Sequence, residues 1–128
     1  MDKWYSELPV IRILALLLWG ECRGEVLPGF VGVANVVRNR VKHYRWAHNF
    51  MGVMLQPDQF DGLTIVGQME PFEPGVRLDL VARLCIADLL RDNVGGATHF
   101  CAIDSHPYWR PLLKPRGRIG DHLFFEEE

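Results

Sequence analysis

A glutamate closes an apolar run in the stretch Trp19-Gly20-Glu21-Cys22-Arg23-Gly24-Glu25. Counting back from Glu21 in helical steps gives Leu17, Leu14 and Val10, spaced by four, three and four. Residues at that spacing share one helix face, so Glu21 extends an apolar stripe toward the core. Desolvation and the negative end of the helix dipole both favour the protonated carboxyl there. A carboxyl that keeps its proton near neutral pH is a general acid, able to protonate a leaving oxygen. The competing expectation is structural: Glu21 caps a surface helix or pairs with Arg23.

Other side chains can assist such an acid. Glu25 follows four residues later, beyond Gly24. It is a candidate second carboxylate, with a structural role (satisfying backbone donors or pairing with Arg23) favoured over it; Asp58, Asp61 and Asp104 are further carboxylates that nothing else in the sequence supports. Gln59, Thr98 and His99 are polar groups in loop or strand settings that can hydrogen-bond a substrate. Phe60, Phe100, Tyr108 and Trp109 can stack on it, or pack in the core. His122 reads as a buried, hydrogen-bonded histidine. Cys22, Cys85, Cys101, His99, His106 and His122 match no Cys-x2-Cys or His-Glu-x-x-His spacing, so no metal site or cofactor is expected.

The elements that must position these groups are mainly helical. Ser6 is the expected N-cap of a first helix reaching Trp19 or Glu21, with Gly20 and Gly24 at its C-terminal end. In a second helix Phe30, Val33, Ala34, Val37, Val41 and Tyr44 form the buried stripe. Asn35, Arg38, Asn39, Arg40, Lys42 and Arg45 form its polar surface, with Asn39 close to the stripe. Gly29 and Gly32 allow close approach to a neighbouring helix, such as the first. A short helix is expected over 50–55, a loop over 56–62 and another over 64–74. A third long helix, over 75–93, carries apolar stripes through Val76, Leu80, Leu84 and Ala87 and through Val81, Cys85 and Leu89. So wide an apolar face predicts a central, covered helix. Strands are expected over 97–103 and 119–125, forming a small antiparallel pair across a Pro- and Arg-rich loop.

The 128 residues fit one domain spanning 1–128, with 48% hydrophobic content for a core. The net charge of −2 argues against a nucleic-acid binder, although the basic run over 38–45 would suit a DNA-reading helix. The odd, scattered cysteines imply no disulfide framework. The apolar segment over 8–19 is shorter than the ~20 residues a membrane span needs. The residues before it lack the form of an export signal.

Five segments in order resemble the cell wall hydrolase family that includes the catalytic domains of spore-cortex-lytic enzymes. They are Gly20-Glu21-Cys22-Arg23-Gly24-Glu25, Val33-Ala34-Asn35-Val36-Val37-Arg38-Asn39-Arg40-Val41, Gln56-Pro57-Asp58-Gln59-Phe60, Gly95-Gly96-Ala97-Thr98-His99-Phe100 and Ile119-Gly120-Asp121-His122-Leu123-Phe124. The resemblance implies a lysozyme-like, mainly α fold (α+β) with a small β element near the C-terminus. It also implies cleavage of the β-1,4 bond between N-acetylmuramic acid and N-acetylglucosamine in peptidoglycan. Glu21 matches the family's catalytic acid. The family commonly has Ala where this chain has Cys22, and often Tyr where it has Trp19.

A single acid suits a lytic transglycosylase, in which the sugar's own 6-hydroxyl closes a 1,6-anhydro ring without water, metal or cofactor. A hydrolytic muramidase using a second carboxylate such as Glu25 is the alternative, and a non-catalytic glycan-binding module is another. The expected partner is peptidoglycan glycan strands, bound by a monomer with no nucleic acid and no stable membrane insertion. With no export signal or wall-binding domain read in the chain, a phage-type endolysin released to the wall from the cytoplasm is the expected setting.

Overall fold

The computed structural model describes residues 8–57, 59, 60, 62 and 75–128. Helix α1 is Val10–Cys22, α2 Leu27–Val41, α3 Phe50–Met54 and α4 Val76–Ile86; strands β1 His99–Ala102, β2 Lys114–Ile119 and β3 His122–Glu126 follow. The expected Ser6 cap and the 64–74 loop lie outside the described residues. Among those residues, no helix is long and apolar enough to cross a membrane.

The core is built around α1. Residues 13–18 are all apolar and at most 3% exposed, so this helix is covered on every side over nearly two turns. It packs against α2, α3 and α4. Burying a large apolar side chain contributes about 1.5–3 kcal/mol; the α1 run is apolar throughout, whereas the buried run of α2, residues 32–38, includes Asn35 and Arg38. The central place expected for the third long helix therefore belongs to α1. Helix α4 buries only Leu78, Val81, Ala82 and Cys85, while Val76 and Leu80 are exposed. It also stops at Ile86, because Asp88 turns the chain with φ +59°, and Leu89 is exposed.

Helix α2 departs from its expected polar surface. Asn35, Arg38 and Arg40 are buried, whereas Tyr44, assigned to the stripe, lies beyond the helix and is exposed. Their polar groups reach chain segments far along the sequence. Asn35 Nδ2 donates to Arg91 O at 2.8 Å and to Asn93 Oδ1 at 3.1 Å; an Arg38 Nη1 hydrogen donates to Leu90 O. Buried polar groups persist where such partners exist. Asn39 Nδ2 likewise donates to Ala97 O at 2.9 Å. Gly32 faces the sheet and not α1: a Cβ there would sit 2.8 Å from the Phe124 ring.

The β element has three strands, not two, in the order β1-β3-β2, all antiparallel. The expected 119–125 strand is split by a turn at Gly120, φ +58°, and Asp121. Strand β2, Lys114-Pro115-Arg116-Gly117-Arg118-Ile119, shows no apolar alternation because it is an exposed edge strand. Pro115 is tolerated there since its missing N–H breaks no inner ladder. A bulge lies between Pro115 and Gly117.

Candidate active site

Glu21 stands in the last turn of α1, half-buried, where the helix leaves the core. Gly20 is inside this helix and does not cap it. A Cβ at Gly20 would lie 2.1 Å from Gly62 O, and one at Gly62 would lie 2.5 Å from Leu17 O and 3.0 Å from Glu21 Oε2. Two glycines thus let the backbone at residue 62 lie against the helix end and the carboxylate. Gly24, at φ +83°, supplies the left-handed residue after the helix.

Glu21 opens into a cleft of about 420 Å³ whose walls include Arg40, Gln59, His99, Phe100 and Trp109. Helix α2 brings Arg40, the segment after α3 brings Gln59, and the edge strand β1 brings His99 and Phe100.

Arg40 is 4% exposed and fixed on four sides. Its Nε donates to Thr98 O at 2.7 Å and its Nη1 to Gln59 Oε1 at 3.1 Å. Its Cζ lies 4.9 Å from the Trp46 ring centroid and 5.0 Å from that of Phe60, a double cation–π contact. Burial lowers its pKa to about 10, opposed by the carboxylates of Glu127 and Glu21, so it stays cationic at neutral pH. Because Arg40 only donates, it must meet the oxygen of Gln59, directing the donor end of that amide away. Assigning Arg40 to the surface missed this role. The helical period held the signal, since Arg40 is seven residues after Val33 and three after Val37.

His99 lies between Trp46 and Trp109, with ring centroids 5.6 Å and 4.8 Å away. Burial first, then the charges of Arg40 and His43, lower its pKa to about 4, so the ring is neutral at neutral pH. Thr98 Oγ1 accepts from Glu127 N at 2.9 Å and lies 3.0 Å from His99 Nδ1. The Thr98 hydroxyl is free to donate to Nδ1, an arrangement in which the imidazole proton is on Nε2. Thr98 is itself buried and stands behind the cleft wall, supporting His99.

The aromatic residues divide. Phe100 and Trp109 line the cleft, with Phe100 stacked on Phe60 at 6.5 Å and Trp109 edge-on to Phe125 at 5.3 Å. Phe60 lies under Arg40 and Phe100.

Glu25 is not among the residues lining this cleft. Its Oε1 accepts from Asp121 N at 2.9 Å and lies 3.5 Å from His122 Nδ1. The carboxylate therefore holds the turn between β2 and β3, and Gly120 leaves room for it: a Cβ there would meet Oε2 at 2.1 Å. His122 is buried between Glu25 and Phe100. The Arg23 guanidinium lies over the Trp19 ring, 5.2 Å from its centroid. Asp58 and Asp61 lie outside the described residues. Among the described residues, no group of three or more His, Cys, Asp or Glu side chains is arranged to hold a metal. The three thiols are free and buried; burial with the carboxylates of Glu21 and Glu25 pushes the Cys22 thiol up, and burial pushes Cys85 up to about 12.

The sequence profile of the family described as Cell Wall Hydrolase matches residues 24–125. The chain belongs to this family. It is 35% identical over 122 residues to a spore cortex-lytic enzyme of Halalkalibacterium halodurans, covering 89% of this chain and 34% of that protein. It is 33% identical over 124 residues to the Bacillus subtilis spore cortex-lytic enzyme, covering 91% and 37%. The chain thus spans about a third of the length of these curated relatives. Among solved structures, it is similar to the catalytic domain of the germination-specific lytic transglycosylase SleB from Bacillus anthracis. The TM-score is 0.79 at 27% identity, over 98% of this chain and 100% of that one. The catalytic domain of the Bacillus cereus SleB protein gives 0.77 at 25% identity, over 91% and 89%. The fold is accordingly that of the SleB catalytic domain, lysozyme-like and mainly helical with a three-stranded antiparallel sheet.

Proposed function

We propose that this domain cleaves the β-1,4 bond between N-acetylmuramic acid and N-acetylglucosamine in peptidoglycan, as a lytic transglycosylase with Glu21 as acid and then base. The observation that carries this reading is the composition of the cleft. Among the described residues lining it, Glu21 is the only carboxylate. A hydrolytic glycosidase of the usual kind needs two, about 5–10 Å apart. The likeness to a lytic transglycosylase domain supports the same choice.

Glu21 gives its proton to the glycosidic oxygen as the bond from C1 of the muramic residue breaks. The electron-poor C1 is then attacked by the 6-hydroxyl of the same sugar. The hydroxyl proton passes to the Glu21 carboxylate, which restores the acid and leaves a 1,6-anhydro ring. The attacking group is already tethered, which offsets the lack of a second carboxylate. Arg40 stabilises the carboxylate that exists between the two transfers. The neutral His99 and the Gln59 amide offer donors to hydroxyl or acetamido groups, and Phe100 and Trp109 offer ring faces.

Product mass tests the reaction type. Digestion of purified peptidoglycan should release anhydro-muropeptides. Reducing-end muropeptides, heavier by one water, would make the domain a hydrolase; binding without release would make it a glycan-binding module.

A further inference from the structure

A second, larger groove of about 850 Å³ lies beside the cleft. Along β3, Phe124 faces Gly32, so Leu123 and Phe125 lie on the other face of the sheet; Leu123 is partly exposed there, and Phe125 is 5% exposed under Trp109. Arg118 pairs with Leu123, and Pro115 with Phe125, across the strands, which makes an apolar floor with a cation at its edge. The segment over 106–111 forms the opposite wall and brings a second cation, Arg110. Pro107 and Tyr108 line both this groove and the Glu21 cleft, so the two join at that segment. Tyr108, at the junction, is 85% exposed.

A branched groove fits a branched polymer. In peptidoglycan the glycan runs through C1 and C4 of the muramic sugar, while a lactyl ether at C3 carries a stem peptide. That peptide presents methyl groups, a methylene chain and carboxylates. A further sugar subsite would need side-chain donors and acceptors directed from the floor, but the floor here is Leu, Phe and Pro. The two guanidiniums are anchored by carbonyls, which leave their charge intact. Arg118 Nε donates to Gly120 O at 2.7 Å, and Arg110 Nη1 donates to Ile103 O at 3.2 Å and to Ser105 O. The Asp121 carboxylate, 3.9 Å from Arg118, is itself 80% exposed. Guanidinium groups held in this way match carboxylates in plane and charge.

We infer that this groove binds the stem peptide of the muramic residue whose bond lies in the cleft, its apolar floor taking the aliphatic side chains and Arg118 and Arg110 the carboxylates. The inference rests on the peptidoglycan reading. It makes the enzyme selective for strands that still carry peptides.

The test compares two substrates: intact glycan strands bearing stem peptides, and the same strands stripped of peptide by an amidase. The wild type should show kcat/KM about tenfold higher on the peptide-bearing strands, the effect of one well-made charged contact. Arg118→Glu should collapse that ratio toward one. A wild-type ratio of one, or an equal loss on both substrates in the variant, would overturn the proposal and make the groove a sugar subsite or an idle surface. Cleavage of neither substrate would instead remove the lytic reading. A binding measurement is independent of catalysis. Free tetrapeptide L-Ala-D-Glu-diaminopimelate-D-Ala should shift the NMR signals of Arg118, Leu123 and Phe125 in the wild type and not in Arg118→Glu; no shift in the wild type would overturn the proposal.

Discussion

The buried guanidinium of Arg40 donates to the side-chain oxygen of Gln59 at 3.1 Å while it lies between the rings of Trp46 and Phe60. One residue thus fixes a cleft amide, anchors the Thr98 carbonyl and brings a positive charge near Glu21. A lysine keeps the charge but loses the fork and the flat stacking surface. Arg40→Lys should therefore lower kcat/KM by about tenfold or more, the loss of ~1.4 kcal/mol of transition-state stabilisation. It should also lower Tm, since an unsatisfied buried carbonyl costs about 1–3 kcal/mol. Turbidity clearance and thermal unfolding on one preparation check both.

The contact between Gly20 and Gly62 gives a sharper steric prediction. A methyl at residue 20 would overlap the backbone of residue 62, which is no flexible side-chain end. Gly20→Ala should cost at least about 1–3 kcal/mol as overpacking and displace the segment beside Glu21, lowering activity. Gly24→Ala meets no atom within 4 Å and pays only for its positive φ, about 1–2 kcal/mol. Its specific activity should stay near wild type while Tm falls modestly.

His99 sets a pH dependence of stability. Its folded pKa, about 4, is below the ordinary 6.5, so the unfolded chain takes up the proton first as pH falls. The stabilisation is full above pH 6.5 and is lost progressively between 6.5 and 4. Wild-type Tm should drop across that window more steeply than that of His99→Gln. Parallel curves would contradict a neutral, half-buried His99.

Glu25 separates the two catalytic schemes. If it holds the turn through the Asp121 amide, Glu25→Gln keeps an accepting oxygen and should retain most activity. Glu25→Ala leaves that N–H unpaired and should cost about 1–3 kcal/mol of stability. A Glu25→Gln enzyme that folds normally but loses orders of magnitude in rate would point to a second catalytic carboxylate.

What the sequence made legible depended on how far each signal reached. The apolar run before Glu21 announced α1 and put the carboxyl on the core-facing stripe at its C-terminal end, because both follow from a local period; the structure leaves that carboxyl half-buried. The strand around His99 and Phe100 was equally local. Asn35, Arg38 and Arg40 looked like a solvated face because the carbonyls that satisfy them come from segments more than 50 residues away. Strand β2 carries no pattern because an exposed edge strand buries nothing. Apolar Val76, Leu80 and Leu89 suggested a covered helix that the packing does not supply. At the site, Gln59, His99, Phe100 and Trp109 reached the cleft together with Glu21, whereas Glu25 and Thr98 hold structure around it.

The most direct test of the central claim is the muropeptide profile released by the wild type and by Glu21→Gln, with the fold of both checked by circular dichroism. Glutamine preserves the shape of the side chain and removes its proton chemistry. Anhydro-muropeptides are expected from the wild type and none from a correctly folded Glu21→Gln. Undiminished release by that variant would contradict Glu21 as the acid and base.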